Sequence, residues 1–163
     1  MPNTLEKTTT HRAKMSMFEA AMLKTEGVLV GKESEGVCPV EHTFTEGLYT
    51  RKIFIPKGMV LTSKIHKICH PYFILEGDVD VITEEGTVNI KAPYFGITPA
   101  GTKRAIRVNS DCTWVTVHSN PTNTRDLDII EGFTIAKTFN EIDKLTQGEE
   151  HEKDSFIGQQ FSS

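Results

Sequence analysis

The chain has 163 residues, 37% of them hydrophobic and 25% charged, with a formal net charge of −4, which suits one domain built around one core. That balance supplies no global basic field of the kind that attracts nucleic acid. No apolar run approaches the ~18 residues that mark a membrane span, and the N-terminal MPNTLEKTTTHRAK lacks the apolar stretch of a secretory signal. These features point to a soluble, cytoplasmic protein with neither membrane nor nucleic-acid partners.

Residues 1–14 are polar and rich in Thr and read as a mobile arm. Met15, Phe18, Ala21 and Met22 then recur at three- and four-residue spacing, which predicts a short amphipathic helix over 14–24 that Gly27 ends. Such a helix packs on the outside of the following domain or is exchanged with a neighbouring subunit. Strands dominate from about Phe44. Residues 48–55 alternate and end at Pro56-Lys57-Gly58, and further strands are expected at 72–75, 78–83, 87–91 and 94–98. Residues 104–108 and 112–118 read as a hairpin through Asn109-Ser110-Asp111, which sets Arg104 opposite Thr116, Ile106 opposite Trp114 and Thr102 opposite His118. Short strands with frequent turns, and no alternation of strand with helix, argue for an all-β antiparallel sandwich or barrel.

After Asn120 the pattern changes. Pro121–Thr124 is rich in turn residues, Asp126, Asp128 and Glu131 read as a solvated acidic exit, and 133–144 hold a short helix with Asn140 as its cap. The last residues are a loose polar tail anchored only by Phe156, Ile157 and Phe161. The chain therefore divides into an N-terminal arm and helix (1–43), a barrel (44–118) and a C-terminal extension (119–163). Cys38, Cys69 and Cys112 are odd in number and lack CxxC spacing, the usage of reduced thiols.

The chemistry concentrates in KIHKICHPYFILEG, residues 64–77. In a straight strand His66 and His70 would stand roughly 13 Å apart, so they can share a ligand only if the chain turns between them. Pro71, with no N–H to donate, suits the start of a strand after such a turn. A turn near Lys67–Cys69 with one histidine on each flank follows. Alternation then puts His70, Tyr72 and Ile74 on one face, and the expected hairpin puts Arg104 and His118 inward with Ile106, Val108 and Trp114. The interior would hold Lys64, His66, His70, Tyr72, Arg104 and His118, with Glu76 as the compensating carboxylate. His42 stands near the barrel mouth, whereas His11 and His151 fall in solvated ends.

The stretch resembles the first motif of the cupins, small jelly-roll β-barrels. In that motif a proline-glycine turn leads to two histidines one residue apart, then an acid, then a strand ending in a V-L-x-G-like signature. Pro56-Lys57-Gly58 matches the turn and Ile74-Leu75-Glu76-Gly77 the strand end. His66 matches the second histidine, Lys64 stands at the first, and His70 stands where the glutamate falls. Thr98-Pro99-Ala100-Gly101-Thr102-Lys103-Arg104 resembles the second motif, with Arg104 in place of its histidine. The likeness covers about residues 44–118 and implies a cupin barrel with short helical extensions. The segments GLYTRKIFIPKG, KIHKxxH, PAGTKRA and WVTVHSNP are similar to those of small cupin-like proteins of tailed bacteriophages, and cupins often form homodimers.

Two kinds of partner fit such an interior. A metal such as zinc, iron, manganese or nickel suits His66, His70 and His118. An anion suits Lys64, Lys67, Tyr72 and Arg104, because a guanidinium grips phosphate or carboxylate through paired hydrogen bonds. The leading expectation is a barrel for a nucleotide- or phosphosugar-like anion, which His66, His70 and His118 act on as acid, base or metal ligands, or which is sequestered as a host signal. The alternatives are a metal-dependent cupin enzyme with a three-histidine site, and a virion or assembly component. The two cations at ligand positions rank the anion ahead of the metal.

Overall fold

The computed structural model describes residues 4–83 and 86–147. Helix α1 (Thr4–Met22) and a 3-10 turn (Gly31–Gly36) precede strands β1 (Val40–Thr45), β2 (Leu48–Ile55), β3 (Val60–Thr62), β4 (Ile65–His66), β5 (His70–Thr83), β6 (Gly86–Lys91), β7 (Tyr94–Thr98) and β8 (Ala105–Ser119). Helix α2 (Leu127–Thr134), strand β9 (Ile135–Ala136) and helix α3, over 139–147, follow. Every strand pairing is antiparallel. The fold is all-β, a jelly-roll barrel with helical extensions.

Two long strands make the barrel. The first part of β5 pairs with β7 and its second part with β6, while β8 runs alongside both parts. In the same way β8 pairs first with β3 and then with β2. Each long strand thus belongs to two half-sheets: β1-β2-β8-β5-β7 and β3-β8-β5-β6. The bend lies at residues 74–79, where the β5–β8 register shifts three times. Gly77 sits in it with φ of 106°. Its Cα faces β8 so closely that an added Cβ would lie 2.6 Å from the Asp111 carbonyl oxygen. Bulges of this kind bend a strand and re-aim its side chains.

Between the half-sheets lies one core, with Ile55, Ile74, Val79, Val81, Val108, Cys112 and Trp114 buried in it. Strand alternation explains the membership: Ile53 and Ile55, Tyr72 and Ile74, and Cys112 and Trp114 share the inward face of their strands. A smaller core joins Ile65, Ala136 and Ile142, with Phe139 against it.

Four expectations are corrected. Residues 104–118 form no hairpin: β8 is a single strand, and Trp114 pairs with Ile53 and Ile74 rather than with Ile106. The polar run 109–111 marks the bend in β8, where Asn109 Nδ2 donates to Asp78 and Asp111 accepts from the Lys57 N–H. The bulge also carries Glu76 to the exterior, so it compensates nothing inside the barrel. The N-terminal helix starts at Thr4 rather than near Lys14; it meets the barrel through Glu19, which accepts from Lys103 and Thr62, and helix α3 through Arg12, which pairs with Asp143. Of the four residues in the expected apolar stripe, only Met15 is buried. Lastly, the acidic exit is helix α2, capped by Asp126, whose carboxylate accepts from the N–H groups of Asp128 and Ile129. The tail anchors Phe156, Ile157 and Phe161, and His151, lie outside the described residues. No described helix is long and apolar enough to cross a membrane.

Candidate functional site: a three-histidine cluster flanked by guanidiniums

His66, His70 and His118 meet inside the barrel. Their ring centroids are 4.2 Å apart for His66 and His70, 4.4 Å for His70 and His118, and 5.6 Å for His66 and His118. One nitrogen from each lies within 4.8 Å of the others. Each arrives on a different element. His70 opens β5 and points inward in register with Tyr72 and Ile74. His118 comes from the far end of β8, opposite Tyr49 of β2. His66 sits on β4, which is held from two sides: β9 pairs with it, and the Gly101 N–H donates to the His66 carbonyl. The chain bends after His66, as its spacing from His70 requires.

The rings are poised as neutral donors of lone pairs. His70 Nδ1 donates to the Ile68 carbonyl at 3.2 Å, leaving Nε2 free to coordinate. His118 Nε2 meets the Thr116 hydroxyl at 3.1 Å. His66 Nδ1 is buried with no hydrogen-bond partner among the described residues, an unusual state for a buried polar atom. Burial first, then the neighbouring imidazoles and guanidiniums, push the His66 pKa down to about 3. Burial, then His70 and Arg51, bring His118 to about 4. His70 is lowered too, chiefly by burial, against the opposing pull of the Ile68 carbonyl.

These shifts predict a stability profile. A histidine whose folded pKa lies below its unfolded value of about 6.5 binds fewer protons folded than unfolded, so stability is intact above pH 6.5 and is lost as pH falls through the window below it. For His66, protonation of the unfolded chain costs the chelator-treated protein about 3 kcal/mol by pH 4, at ~1.4 kcal/mol per pKa unit. Urea melts from pH 7.5 to pH 4 should show this loss, and a His66→Gln protein should show less of it. A flat profile would mean that the rings are solvated.

Two cations flank the imidazoles. Arg104 is half-buried and lies over the Tyr72 ring, with its Cζ 5.2 Å from the ring centroid. Its backbone is fixed by a reciprocal pair with Ser63, in which the Arg104 N–H donates to Ser63 Oγ and the Ser63 N–H donates to the Arg104 carbonyl. Arg51 projects inward from β2 between Tyr49 and Ile53. Its pKa is pulled down, first by burial, despite the opposing effects of Tyr49, Glu35, Glu131 and Cys38. No ion pair joins either guanidinium to a carboxylate among the described residues. The sequence reading missed Arg51, although its parity with the inward residues Tyr49, Ile53 and Ile55 carries the signal. It also missed Tyr49, which stacks on His118 at 5.9 Å and whose hydroxyl bonds His42 Nδ1 at 2.7 Å.

Lys64 and Lys67 are placed elsewhere. Lys64 is exposed and pairs with Glu131 of α2. The ammonium of Lys67 donates to the Gly132 carbonyl and stands 3.9 Å from Glu141. Both reach away from the imidazoles, toward the C-terminal extension. The cluster could hold a divalent ion: three nitrogens bound to one tetrahedral centre at ~2.1 Å stand about 3.4 Å apart, and here one nitrogen of each ring lies within 4.8 Å of the others.

No family model matches the chain, and no curated protein matches it. Solved structures do. A cupin-2 domain containing protein from Shewanella frigidimarina is 7% identical, with 49% of this chain and 80% of that one covered at a TM-score of 0.41. A cupin domain from Bordetella pertussis is 15% identical, covering 50% and 93% at 0.39. A protein with a cupin-like fold from Ralstonia eutropha is 13% identical, covering 53% and 59% at 0.45. These likenesses concern the course of the strands and nothing of the site. In fold, the chain is similar to cupin domains.

Proposed function

We propose that this barrel binds a divalent metal and a small anionic molecule together. His66, His70 and His118 hold the ion, and Arg51 and Arg104 hold the phosphate or carboxylate of the ligand. The observation that carries the proposal is the trio of converging imidazoles, with His66 Nδ1 buried and without a partner among the described residues. A buried polar atom left unpaired costs about 1–3 kcal/mol, and a metal bond removes that cost. The depressed pKa values keep the lone pairs available at neutral pH, and imidazole suits zinc, iron, manganese and nickel.

The sequence ranked anion ahead of metal because Lys64 and Arg104 stood at two ligand positions. Lys64, paired with Glu131, adds no positive charge inside the barrel, and His118 completes the donor set from the facing strand. The remaining guanidiniums make the two ligands complementary rather than exclusive: an anion bridging metal and arginine neutralises both. When bound, a divalent ion supplies Lewis acidity toward an oxygen of the ligand. The chain itself positions that ligand through Arg104, which Tyr72 and Ser63 hold in place, and through Arg51 on the opposite wall. The apolar core beneath, from Ile74 to Trp114, keeps water from the inner side of the cluster.

Nucleotides and phosphosugars are the ligand class to test, by calorimetry on metal-loaded protein. A charge-assisted hydrogen bond is worth roughly 1.5–3 kcal/mol, so Arg104→Ala and Arg51→Gln should each weaken binding by about tenfold to a hundredfold. Unchanged affinity in both variants, or no binding across the panel, would refute the anionic half of the proposal. Native mass spectrometry of the purified chain tests the metal half by its mass increment.

A further inference from the structure

The histidines gather at one end of the barrel. His70 is the first residue of β5, Tyr49 the second of β2 and His118 the last but one of β8. Helix α2 crosses that end. The chain reaches it from β8 through Asn120, whose N–H donates to the Gly47 carbonyl in the β1–β2 turn, and through Asn123, whose side chain accepts from the Gly47 N–H. The helix then leads directly into β9, which pairs Ile135 with His66. Glu131, midway along it, carries a charge that acts on Arg51 and Tyr49 inside the barrel. Yet α2 is lightly seated. Ile130 and Thr134 are buried, one turn apart, and its other positions are exposed, Ile129 by 47% and Phe133 by 53%. Segments with so little apolar contact open at low cost. What holds the helix down flanks His66: Lys64 pairs with Glu131, and the Lys67 ammonium donates to the Gly132 carbonyl at 2.8 Å.

We infer that α2 is the lid of the histidine site, and that Lys64 and Lys67 latch it to the strand bearing His66. This lid presupposes the cluster as the binding site proposed above and names the way into it. Opening breaks one exposed ion pair and one hydrogen bond and unseats Ile130. Both ends of the helix stay attached, through Gly47 on one side and through the β4–β9 pairs and the bond from the Lys67 N–H to the Thr134 carbonyl on the other. The helix therefore lifts as a flap. An exposed ion pair adds little to stability, which suits a contact that must break and re-form each time a ligand passes. The lid also accounts for two lysines that flank a metal-binding histidine and yet leave the barrel: they act on the cover of the site rather than on its contents.

The test measures access. Full-length, metal-free protein is treated with diethyl pyrocarbonate, and modification rates at His66, His70 and His118 are read by peptide mass spectrometry against His11, which lies outside the barrel. Lys64→Ala and Glu131→Gln should each raise the rate at the cluster about two- to fivefold, the range set by one exposed ion pair. Lys52→Ala, which cuts the Lys52–Glu41 pair on the outer face, should not. The converse variant fixes the latch: Lys64→Cys with Glu131→Cys, in a Cys69→Ser background, bridged by a short bismaleimide. It should be modified about tenfold more slowly than the same protein capped with N-ethylmaleimide. Zinc uptake and zinc removal by a chelator should slow by the same factor with affinity unchanged, because a lid alters both rates together. Equal modification of bridged and capped protein would overturn the lid, and so would single variants that react like the wild type. A wild type that takes up no zinc would refute the metal reading alone, since the modification needs no metal. If the double-cysteine protein fails to fold, the two single variants decide.

Discussion

His118→Ala should emerge from purification without a metal that the wild-type chain retains. His118 supplies one of three donors, and the two that remain, His66 and His70, fill only half of the four positions that a tetrahedral ion needs. Losing an outer hydrogen bond to a ligating histidine already costs about tenfold to a hundredfold in metal affinity; losing the ligand itself should cost a hundredfold or more. The measurement is elemental analysis of full-length protein, before and after dialysis against a weak chelator and reloading with zinc. His42→Ala is the control. His42 bonds the Tyr49 hydroxyl, one ring removed from His118, so it disturbs the same wall without removing a donor, and that protein should reload like the wild type. Equal metal in His118→Ala and wild type, or a wild type that takes up no zinc, would refute the three-histidine site.

The largest effect on stability is expected from Gly77→Ala. At φ of 106° a side chain is strained whatever its surroundings. Here the surroundings are backbone: the new Cβ would lie 2.6 Å from the Asp111 oxygen, 2.8 Å from Cys112 Cα and 2.9 Å from Cys112 Cβ. Neither strand can retreat cheaply. β8 is held on its other side by β2, and Cys112 is fully buried in the core. Strain and overpacking together should cost about 3 kcal/mol or more, which for a domain of this size lowers Tm by roughly 6–12 °C. Gly36→Ala, where φ is ordinary and an added Cβ meets nothing within 4 Å, should change Tm little. A Gly77→Ala protein that melts with the wild type would show that the bend between the half-sheets is soft.

Much of this protein was legible in the order of its residues. Alternation identified the inward face of β5, because side-chain parity in a strand is a local property that sequence carries directly. The same parity put His70 with Tyr72 and Ile74, and Pro71 with the spacing of His66 from His70 forced the intervening bend. Parity would also have found Arg51, had it been applied to a charged residue as readily as to its apolar neighbours.

Other features depended on distant partners. Asn109-Ser110-Asp111 has the composition of a turn, yet it lies inside one long strand. What decides is β5: its bulge at Gly77 bends β8 at the same level, and Asp78 and the Lys57 N–H take up the polar side chains. A strand with ladders on both sides does not reverse for the sake of local turn propensity. Glu76 shows the same dependence, since one bulged residue before it exchanges inside for outside. Lys64 and Lys67 lie beside the histidines in sequence, but a lysine stem is long enough to carry its charge to either side of a strand. Glu131 and the Gly132 carbonyl, brought up by α2 from more than sixty residues away, draw both ammonium groups out of the barrel. The sequence alone thus determined the shared inward face of His70, Tyr72 and Ile74 and the bend between His66 and His70. The tertiary structure decided which charges stay inside the barrel, because a flexible cation follows whichever partner folding brings within reach, and for these lysines that partner lies on a helix the sequence reading did not contain.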